Sequence, residues 1–167
     1  VDENFAHSVS LIHGALKSGG KIVVSGVGKS GNVAKKVAAT LSSTGSMAVF
    51  LHPTEAIHGD LGVLGANDIL LVFSHSGSSQ ELLLLLPAAK EMCAGIVAIL
   101  GNPKGAISRF SKHVISSSVS AEACPHNLAP TASSTLAMAL GDALAMALKE
   151  LAGFGPDHFA KLHPGGN

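Results

Sequence analysis

The chain has 167 residues, a length that suits one α/β domain, and we expect a single domain over residues 1–167. Hydrophobic residues make up 47% and charged residues 13%, so a sizeable core can form while few charges remain to solvate the surface. We therefore expect further copies of the chain to cover part of that surface. Basic and acidic residues number 11 each, and Trp and Tyr are absent, which argues against nucleic acid as a partner.

Cysteine usage and hydropathy indicate the compartment. Cys93 and Cys124 lie outside any CxxC spacing, which is typical of reduced thiols in a cytosolic protein. Mean hydropathy is +0.42, but no apolar run reaches the roughly 18 residues of a membrane span, and no signal peptide opens the chain. We expect a cytoplasmic protein with no membrane partner.

Short runs rich in Val, Ile and Leu alternate with helical stretches. The predicted strands are 21–25, 47–51, 68–73, 95–100 and 113–119. The predicted helices are 32–41, 80–92 and 131–151. Pro87 is expected to kink or shorten the second helix. The third is apolar on several faces, which is typical of a buried helix. We expect this helix to be buried between subunits.

This alternation predicts an α/β fold in which a five-stranded parallel sheet is flanked by helices on both faces. Ligands of such folds lie beyond the carboxyl ends of the strands. The loops after Ser25, Leu51, Phe73 and Val119 are therefore where we expect functional residues.

A glycine-rich turn, Gly26-Val-Gly28-Lys29-Ser30-Gly31, follows the first strand and opens a helix. It matches the G-x-G-x-x-G dinucleotide fingerprint, but the second strand ends in His52-Pro53 and not in a ribose-binding acid. A lysine at a helix N-terminus is unfavourable unless an anion lies there. The turn therefore predicts anion binding by Gly28, Lys29 and Ser30, against the simpler interpretation of a tight turn.

Two further helix starts are rich in hydroxyl groups. Residues 74–79 read Ser-His-Ser-Gly-Ser-Ser, and four serines exceed what helix capping alone needs. We predict that Ser74, Ser76 and Ser79 form a nest for phosphate. The second set, Thr131, Ser133 and Ser134, begins the long apolar helix.

Four side chains in the predicted site loops form a candidate acid/base set: His58, Glu81, Glu122 and His163. The ordinary alternatives are solvated or dipole-stabilising acids and a disordered tail. As a functional residue, His163 would reach a site, either its own or that of a neighbouring subunit, when the tail folds over it. Aldose–ketose isomerisation needs such a set, together with a cation such as Lys29 near the developing enediolate.

A metal site from His52, His58 and Asp60 is conceivable, but their spacing matches no regular ligand pattern. We expect no metal and no other cofactor.

Seven segments together resemble the SIS (sugar isomerase) domain, and specifically its D-arabinose 5-phosphate isomerase branch. The segments are Gly28-Lys29-Ser30-Gly31, His58-Gly59-Asp60-Leu61-Gly62, Ser74-x-Ser76-Gly77, Glu122-Ala123-Cys124-Pro125, Leu128-Ala129-Pro130-Thr131, Gly141-Asp142-Ala143-Leu144-Ala145 and His163-Pro164-Gly165-Gly166. The serine loop marks the broad superfamily, whereas the HGDLG, EACP, LAPT and HPGG motifs in this order are more specific.

The resemblance implies a flavodoxin- or Rossmann-like three-layer sandwich, a homotetramer, and conversion of D-ribulose 5-phosphate to D-arabinose 5-phosphate through an enediol. It also implies a place in the synthesis of the acid sugar Kdo. The family's polar active-site positions fall on Lys29, His58, Glu81, Glu122 and His163. Either glutamate is the expected carbon base, and either histidine the group for ring opening and oxygen proton transfer. Phosphate binding would fall to the hydroxyl residues named above.

The chain departs from the family at two points. The serine loop usually reads Ser-Asn-Ser-Gly-Glu, whereas His75 and Ser78 stand here, so His75 adds a titrating group near the phosphate. Many relatives carry paired CBS modules, which we do not expect in this chain. The alternatives are an isomerase of another sugar phosphate, a non-catalytic sugar-phosphate sensor and, more distantly, a dinucleotide-dependent oxidoreductase.

Overall fold

A single parallel sheet organises the computed structural model, which describes residues 2–165. Its strands are β1 (Ile22–Gly26), β2 (Ala48–Phe50), β3 (Ile69–Ser74), β4 (Gly95–Leu100) and β5 (His113–Ser116). They lie in the order β2-β1-β3-β4-β5, and every neighbouring pair is parallel. The predicted fold class is confirmed.

Within the described range the sheet is accompanied by six α-helices and two 3₁₀ turns. The helices are α1 (Glu3–Lys17), α2 (Gly28–Ser43), α3 (Pro53–Ile57), α4 (Gln80–Met92), α5 (Ala132–Leu151) and α6 (Pro156–Leu162). The 3₁₀ turns span Asp60–Val63 and Ala106–Phe110. Sequence patterns located α2, α4 and α5 but not α1, α3 or α6.

Both faces of the sheet are buried, which makes three layers. Val24 and Leu71 pack with α1, α2 and α5, whereas their strand neighbours Val23 and Leu70 pack with α3 and α4. Successive side chains on a strand point to opposite faces, so the uninterrupted apolar strands supply both cores. This burial explains why α4 continues past Pro87: its leucines lie in the second core, and their burial outweighs one lost backbone hydrogen bond.

The fifth strand is shorter than predicted and ends at Ser116 instead of Val119. The Ser118 N–H donates to Ser116 Oγ, and the Ser118 hydroxyl donates to the Gly101 carbonyl. Such local hydroxyl bonds compete with the strand ladder. Ser117 therefore follows the strand and lies at the carboxyl edge of the sheet.

Strand order sets the position of the site. From β1 the chain passes through α2 to β2 on one side, then crosses to β3 on the other side of β1. The connections that leave β1 and β3 therefore diverge to opposite faces and open a crevice at the carboxyl edge. No helix in residues 2–165 is both long and apolar enough to cross a bilayer.

The opposite edge of the sheet is held by Asp68. Its carboxylate accepts hydrogen bonds from the Lys21 backbone N–H at 2.8 Å, the Lys21 Nζ at 2.5 Å and the Gly65 N–H at 2.7 Å. Burial raises the pKa of Asp68, but these bonds outweigh burial and hold that pKa below its ordinary value. The carboxylate thereby ties the start of β1 to the start of β3.

We expect Asp68→Ala to lower the free energy of unfolding by about 3 kcal/mol, because the change leaves buried donors unpaired. Urea denaturation checks this. Asp142→Ala is the matched control: it removes the partly exposed ion pair with Lys36 and is expected to cost less than about 1 kcal/mol. Equal losses in both variants would contradict the assignment.

Candidate functional site

A cavity of about 290 Å³ lies where β1 and β3 diverge. Seven of the predicted site residues line it: Lys29, Ser30, Ser74, Ser76, Ser79, Ser133 and Ser134. They come from the start of α2, the loop after β3 and the start of α5, which are far apart in the chain. The parallel sheet brings them together because each follows a strand at the same edge.

The start of α2 lies directly against β1. Gly28 begins the helix with a φ of +58°, a conformation that costs glycine little. Gly26 is equally constrained, because a Cβ there would lie 2.9 Å from the Ser30 carbonyl oxygen. No side chain in the described range caps this helix, so its first N–H groups remain available to an anion. Lys29 is exposed there and belongs to neither ion pair of residues 2–165.

The serine loop shapes itself with its own hydroxyls. Ser74 Oγ accepts from the Gly77 N–H at 3.1 Å and lies 2.9 Å from Ser79 Oγ, with which it shares a hydrogen bond. Ser76 Oγ accepts from the Ser78 N–H at 3.2 Å. Ser79 is the N-cap residue of α4, yet its side chain makes no capping bond. The start of α4 therefore resembles that of α2 in leaving N–H groups for a ligand.

The start of α5 is different, because the Glu122 carboxylate occupies it. One oxygen accepts from the Thr131 N–H at 2.8 Å, the Thr131 hydroxyl at 3.1 Å and the Ser133 N–H at 3.1 Å. The other oxygen accepts from the Ser133 hydroxyl. The Ser133 hydroxyl and then the Thr131 N–H are the main causes that lower the pKa of Glu122 to about 2. The donors predicted for phosphate at Thr131 and Ser133 are thus bound within the chain.

Ser134 is also engaged, since its hydroxyl donates to the Thr131 carbonyl at 3.1 Å. Thr131 and Gly28 do not line the main cavity, whereas Glu122 lines a smaller neighbouring one of about 180 Å³. The N-cap interpretation therefore describes the start of α5, where an acid from another loop supplies the cap.

Three predicted catalytic residues lie outside both cavities. His58 ends α3 and is exposed. Glu81 is half-buried in the first turn of α4. The His163 ring stacks on Phe159 at 3.7 Å, and its Nδ1 lies 2.8 Å from the Phe159 carbonyl oxygen. Gly166 of the HPGG motif lies outside the described residues.

The position of His163 limits which cavity it can serve. Helix α5 begins at the cavity and runs 20 residues, about 30 Å, before α6 and His163 follow. Phe154, between these helices, packs against Gly45, just after the end of α2. The contact is close, since a Cβ added to Gly45 would lie 2.3 Å from the Phe154 ring. The end of α5 therefore lies towards the edge of the sheet opposite the cavity, and His163, which follows it, lines neither cavity of its own chain.

Two polar residues border the main cavity that the residue-by-residue prediction did not assign. His75 lines both cavities and so joins them. Its ring packs on Gly101, where a Cβ would lie 2.4 Å from Nδ1. Ser117 follows β5 and is 3% exposed. Its position after a strand could have identified it, but the sequence analysis extended that strand to Val119 and so placed Ser117 inside it.

The metal hypothesis finds no support in the geometry. The His52 Nδ1 accepts from the Thr54 N–H at 3.3 Å and caps α3. Across residues 2–165, no three His, Cys, Asp or Glu side chains are grouped closely enough to hold an ion.

The sheet is doubly wound, and a lysine, serine hydroxyls and two uncapped helix starts lie at its switch point. These features are typical of an anion-binding α/β domain. Comparison with known proteins identifies the family. The SIS domain model matches residues 15–147, and the chain belongs to the SIS domain family.

Three similar proteins bear on function. The arabinose 5-phosphate isomerase KdsD of Pseudomonas aeruginosa is 45% identical over 99% of this chain and 50% of its own length. The structure of c3406 from Escherichia coli CFT073 in complex with arabinose 5-phosphate is 37% identical over 97% of this chain and 85% of that chain, with a TM-score of 0.91. The Vibrio vulnificus NanR structure with ManNAc-6P, 19% identical over 97% of this chain and 59% of that one, with a TM-score of 0.78, shares the fold. The chain spans about half the length of the curated relatives it matches.

Glu122→Gln is expected to lower the melting temperature, because α5 loses its anionic cap. Because the pKa of Glu122 is lower in the folded state than its ordinary value of 4.5, the charged carboxylate stabilises the folded state at pH values above 4.5. This stabilisation is lost as the pH falls from 4.5 towards about 2. The difference in melting temperature between wild type and variant should therefore be constant near neutral pH and shrink below about pH 4.5. A difference that does not change with pH would contradict the role of this charge.

Proposed function

We propose that this domain interconverts D-ribulose 5-phosphate and D-arabinose 5-phosphate through an enediol. The observation that carries the proposal is the cavity at the β1–β3 switch point, lined by Lys29 and the serine loop. Its support from relatives is the 45% identity to an arabinose 5-phosphate isomerase and the 37% identity to a protein solved with arabinose 5-phosphate.

The phosphate lies between the starts of α2 and α4. Both helix starts offer unbonded N–H groups and the positive end of a helix dipole, without a side-chain cap in the described range. Ser30, Ser74, Ser76 and Ser79 supply hydroxyls, and Lys29 supplies a positive charge. We place the phosphate away from the start of α5, because the Glu122 carboxylate already accepts hydrogen bonds there and would repel a second anion.

The reaction moves two protons. In the ketose-to-aldose direction a base takes a proton from carbon 1 while the carbonyl oxygen on carbon 2 gains one, which forms the enediol. The hydroxyl on carbon 1 then loses its proton and carbon 2 receives one, which leaves the aldehyde. Lys29 stabilises the negative charge that develops between these steps.

Glu81 is the better candidate for the carbon base. The Glu122 carboxylate accepts four hydrogen bonds and has a pKa of about 2, which makes it a weak base near neutral pH. Glu81 lines neither cavity of its own chain, but its side chain has no hydrogen bond to residues 2–165 and it stands in the first turn of α4, directly after the serine loop. Glu122 then acts by holding the start of α5 in place as one wall of the cavity.

The histidines act from another copy of the chain in a homotetramer. His163 lines neither cavity of its own chain and follows the far end of α5, which supports its entry into a neighbour's cavity. The surface of α5 and α6 supports such packing: Met146, Leu151, Phe159 and Leu162 are 42% to 54% exposed. We propose the same role for His58, which is exposed at the end of α3. We place the enzyme in the cytoplasm, where it feeds Kdo synthesis.

Proton NMR in D₂O tests the activity directly. We expect D-arabinose 5-phosphate to be converted to D-ribulose 5-phosphate with deuterium entering carbon 1 or 2. Lys29→Ala should lower kcat/KM by at least about 100-fold, because it removes charge stabilisation at the enediolate. Lys35→Ala, on the exposed side of the same helix, is the control and should retain activity. Thermal stabilisation by the substrate without turnover would instead indicate a sensor.

Mixing inactive variants tests the shared site. Lys29→Ala and His163→Ala should each be inactive alone, but co-expression should restore activity, since random assortment leaves roughly a quarter of the sites with both residues intact. The control is co-expression of Lys29→Ala with Lys29→Ala His163→Ala, which creates no intact site. Failure of the first mixture to recover would contradict the transfer of His163 between copies.

A further inference from the structure

Ser117 has an unusual environment for a polar residue. It is 3% exposed, and its backbone N–H donates to the Leu100 carbonyl at 2.8 Å. Its hydroxyl has no hydrogen-bond partner among residues 2–165. In this range every side-chain oxygen that is fully sealed from solvent has a hydrogen-bond partner. Since the Ser117 hydroxyl has none, it is not fully sealed. Because Ser117 lines the main cavity, the cavity is the space that its hydroxyl meets.

The surroundings of Ser117 make this hydroxyl distinctive. The cavity that it lines has an apolar part formed by Val33, Phe73, Ile99 and Ala137. The other nearly buried cavity serines are bound within the chain, Ser74 to Ser79 and Ser133 to Glu122. A hydroxyl left without a partner at such a position is unfavourable. The Ser117 hydroxyl therefore needs a partner that comes from whatever fills the cavity.

The position of Ser117 separates it from the phosphate donors. It follows β5, two strands from the end of β3 where the serine loop begins, a distance of about 10 Å across the sheet. No helix begins at Ser117, so it has no dipole or cluster of free N–H groups to attract a phosphate. A single neutral hydroxyl that both donates and accepts suits a sugar hydroxyl or carbonyl oxygen.

We infer that Ser117 is a specificity-determining residue that hydrogen-bonds an oxygen of the sugar chain, while the starts of α2 and α4 hold the phosphate. This inference rests on the proposed function, because it takes the ligand to be a sugar phosphate. It adds a polar contact on the β5 side of the cavity.

The test compares substrate with inorganic phosphate. Ser117→Ala should lower kcat/KM for D-arabinose 5-phosphate by about 3- to 10-fold, the effect of one neutral hydrogen bond. Competitive inhibition by inorganic phosphate should change less than about twofold, because phosphate lacks the sugar oxygens. Ser117→Cys, similar in shape but a weak donor, should behave like the alanine variant.

Ser8→Ala is the matched control. Ser8 is 0% exposed, and its hydroxyl donates to the Asn4 carbonyl at 2.7 Å within α1. It should leave kcat/KM unchanged whatever it does to stability. Melting curves of all variants give the folded fraction at the assay temperature, and rates are normalised to that fraction. If the alanine variant is unstable, Ser117→Cys provides the measurement.

Each outcome decides the inference. A kcat/KM for both Ser117 variants within twofold of wild type overturns it, and so does an equal loss of affinity for inorganic phosphate, which would make Ser117 a phosphate contact. A wild type that binds D-arabinose 5-phosphate without converting it overturns only the proposed activity. The inference about Ser117 is then tested by comparing the Kd of that ligand, in place of kcat/KM, between wild type and the Ser117 variants. A wild type that binds inorganic phosphate but not D-arabinose 5-phosphate overturns both.

Discussion

The site depends on the divergence of the chain at the carboxyl ends of β1 and β3. Because β2 and β3 pair with opposite edges of β1, the connections after β1 and β3 leave to opposite faces and nothing fills the space between them. The glycine turn and the serine loop border that space and expose two helix starts to it. The cavity is thus a result of strand order, and the side chains only determine what it binds.

Helix starts provide the electrostatics of this site in a chain with no net charge. Three helices begin at the cavity, and their starts are used in two ways. Those of α2 and α4 have no side-chain cap in the described range, whereas that of α5 is neutralised by the Glu122 carboxylate. In the proposed function this arrangement places the phosphate at the starts of α2 and α4 and keeps it away from the start of α5. A sugar phosphate has one charged end and one polar, uncharged end, which the proposal assigns to these two helix starts and to the β5 side of the cavity.

One copy of the chain holds the binding half of the proposed site more completely than the catalytic half. The cavity contains Lys29 and most of the predicted hydroxyls, but His58 and His163 lie elsewhere on the same molecule. The apolar side chains left exposed on α5 and α6 lie near His163 in the chain, so association that buries them also moves this histidine towards another molecule. In this proposal burial of apolar surface and completion of the site are a single event.

The sequence by itself determined the fold class, because uninterrupted apolar runs identify strands buried on both faces and helices must connect parallel strands. It also located the glycine turn and the serine loop, since short polar motifs after strands are local features. It missed α1, α3 and α6, and it placed the end of β5 three residues too late because hydroxyl bonds of Ser118 stop the ladder. Only the tertiary structure decided that Glu122 caps α5, that His163 lies away from its own cavity and that Ser117 and His75 border it. Those relations join residues far apart in the chain, or depend on which edge of the sheet an element reaches, and no local pattern encodes either.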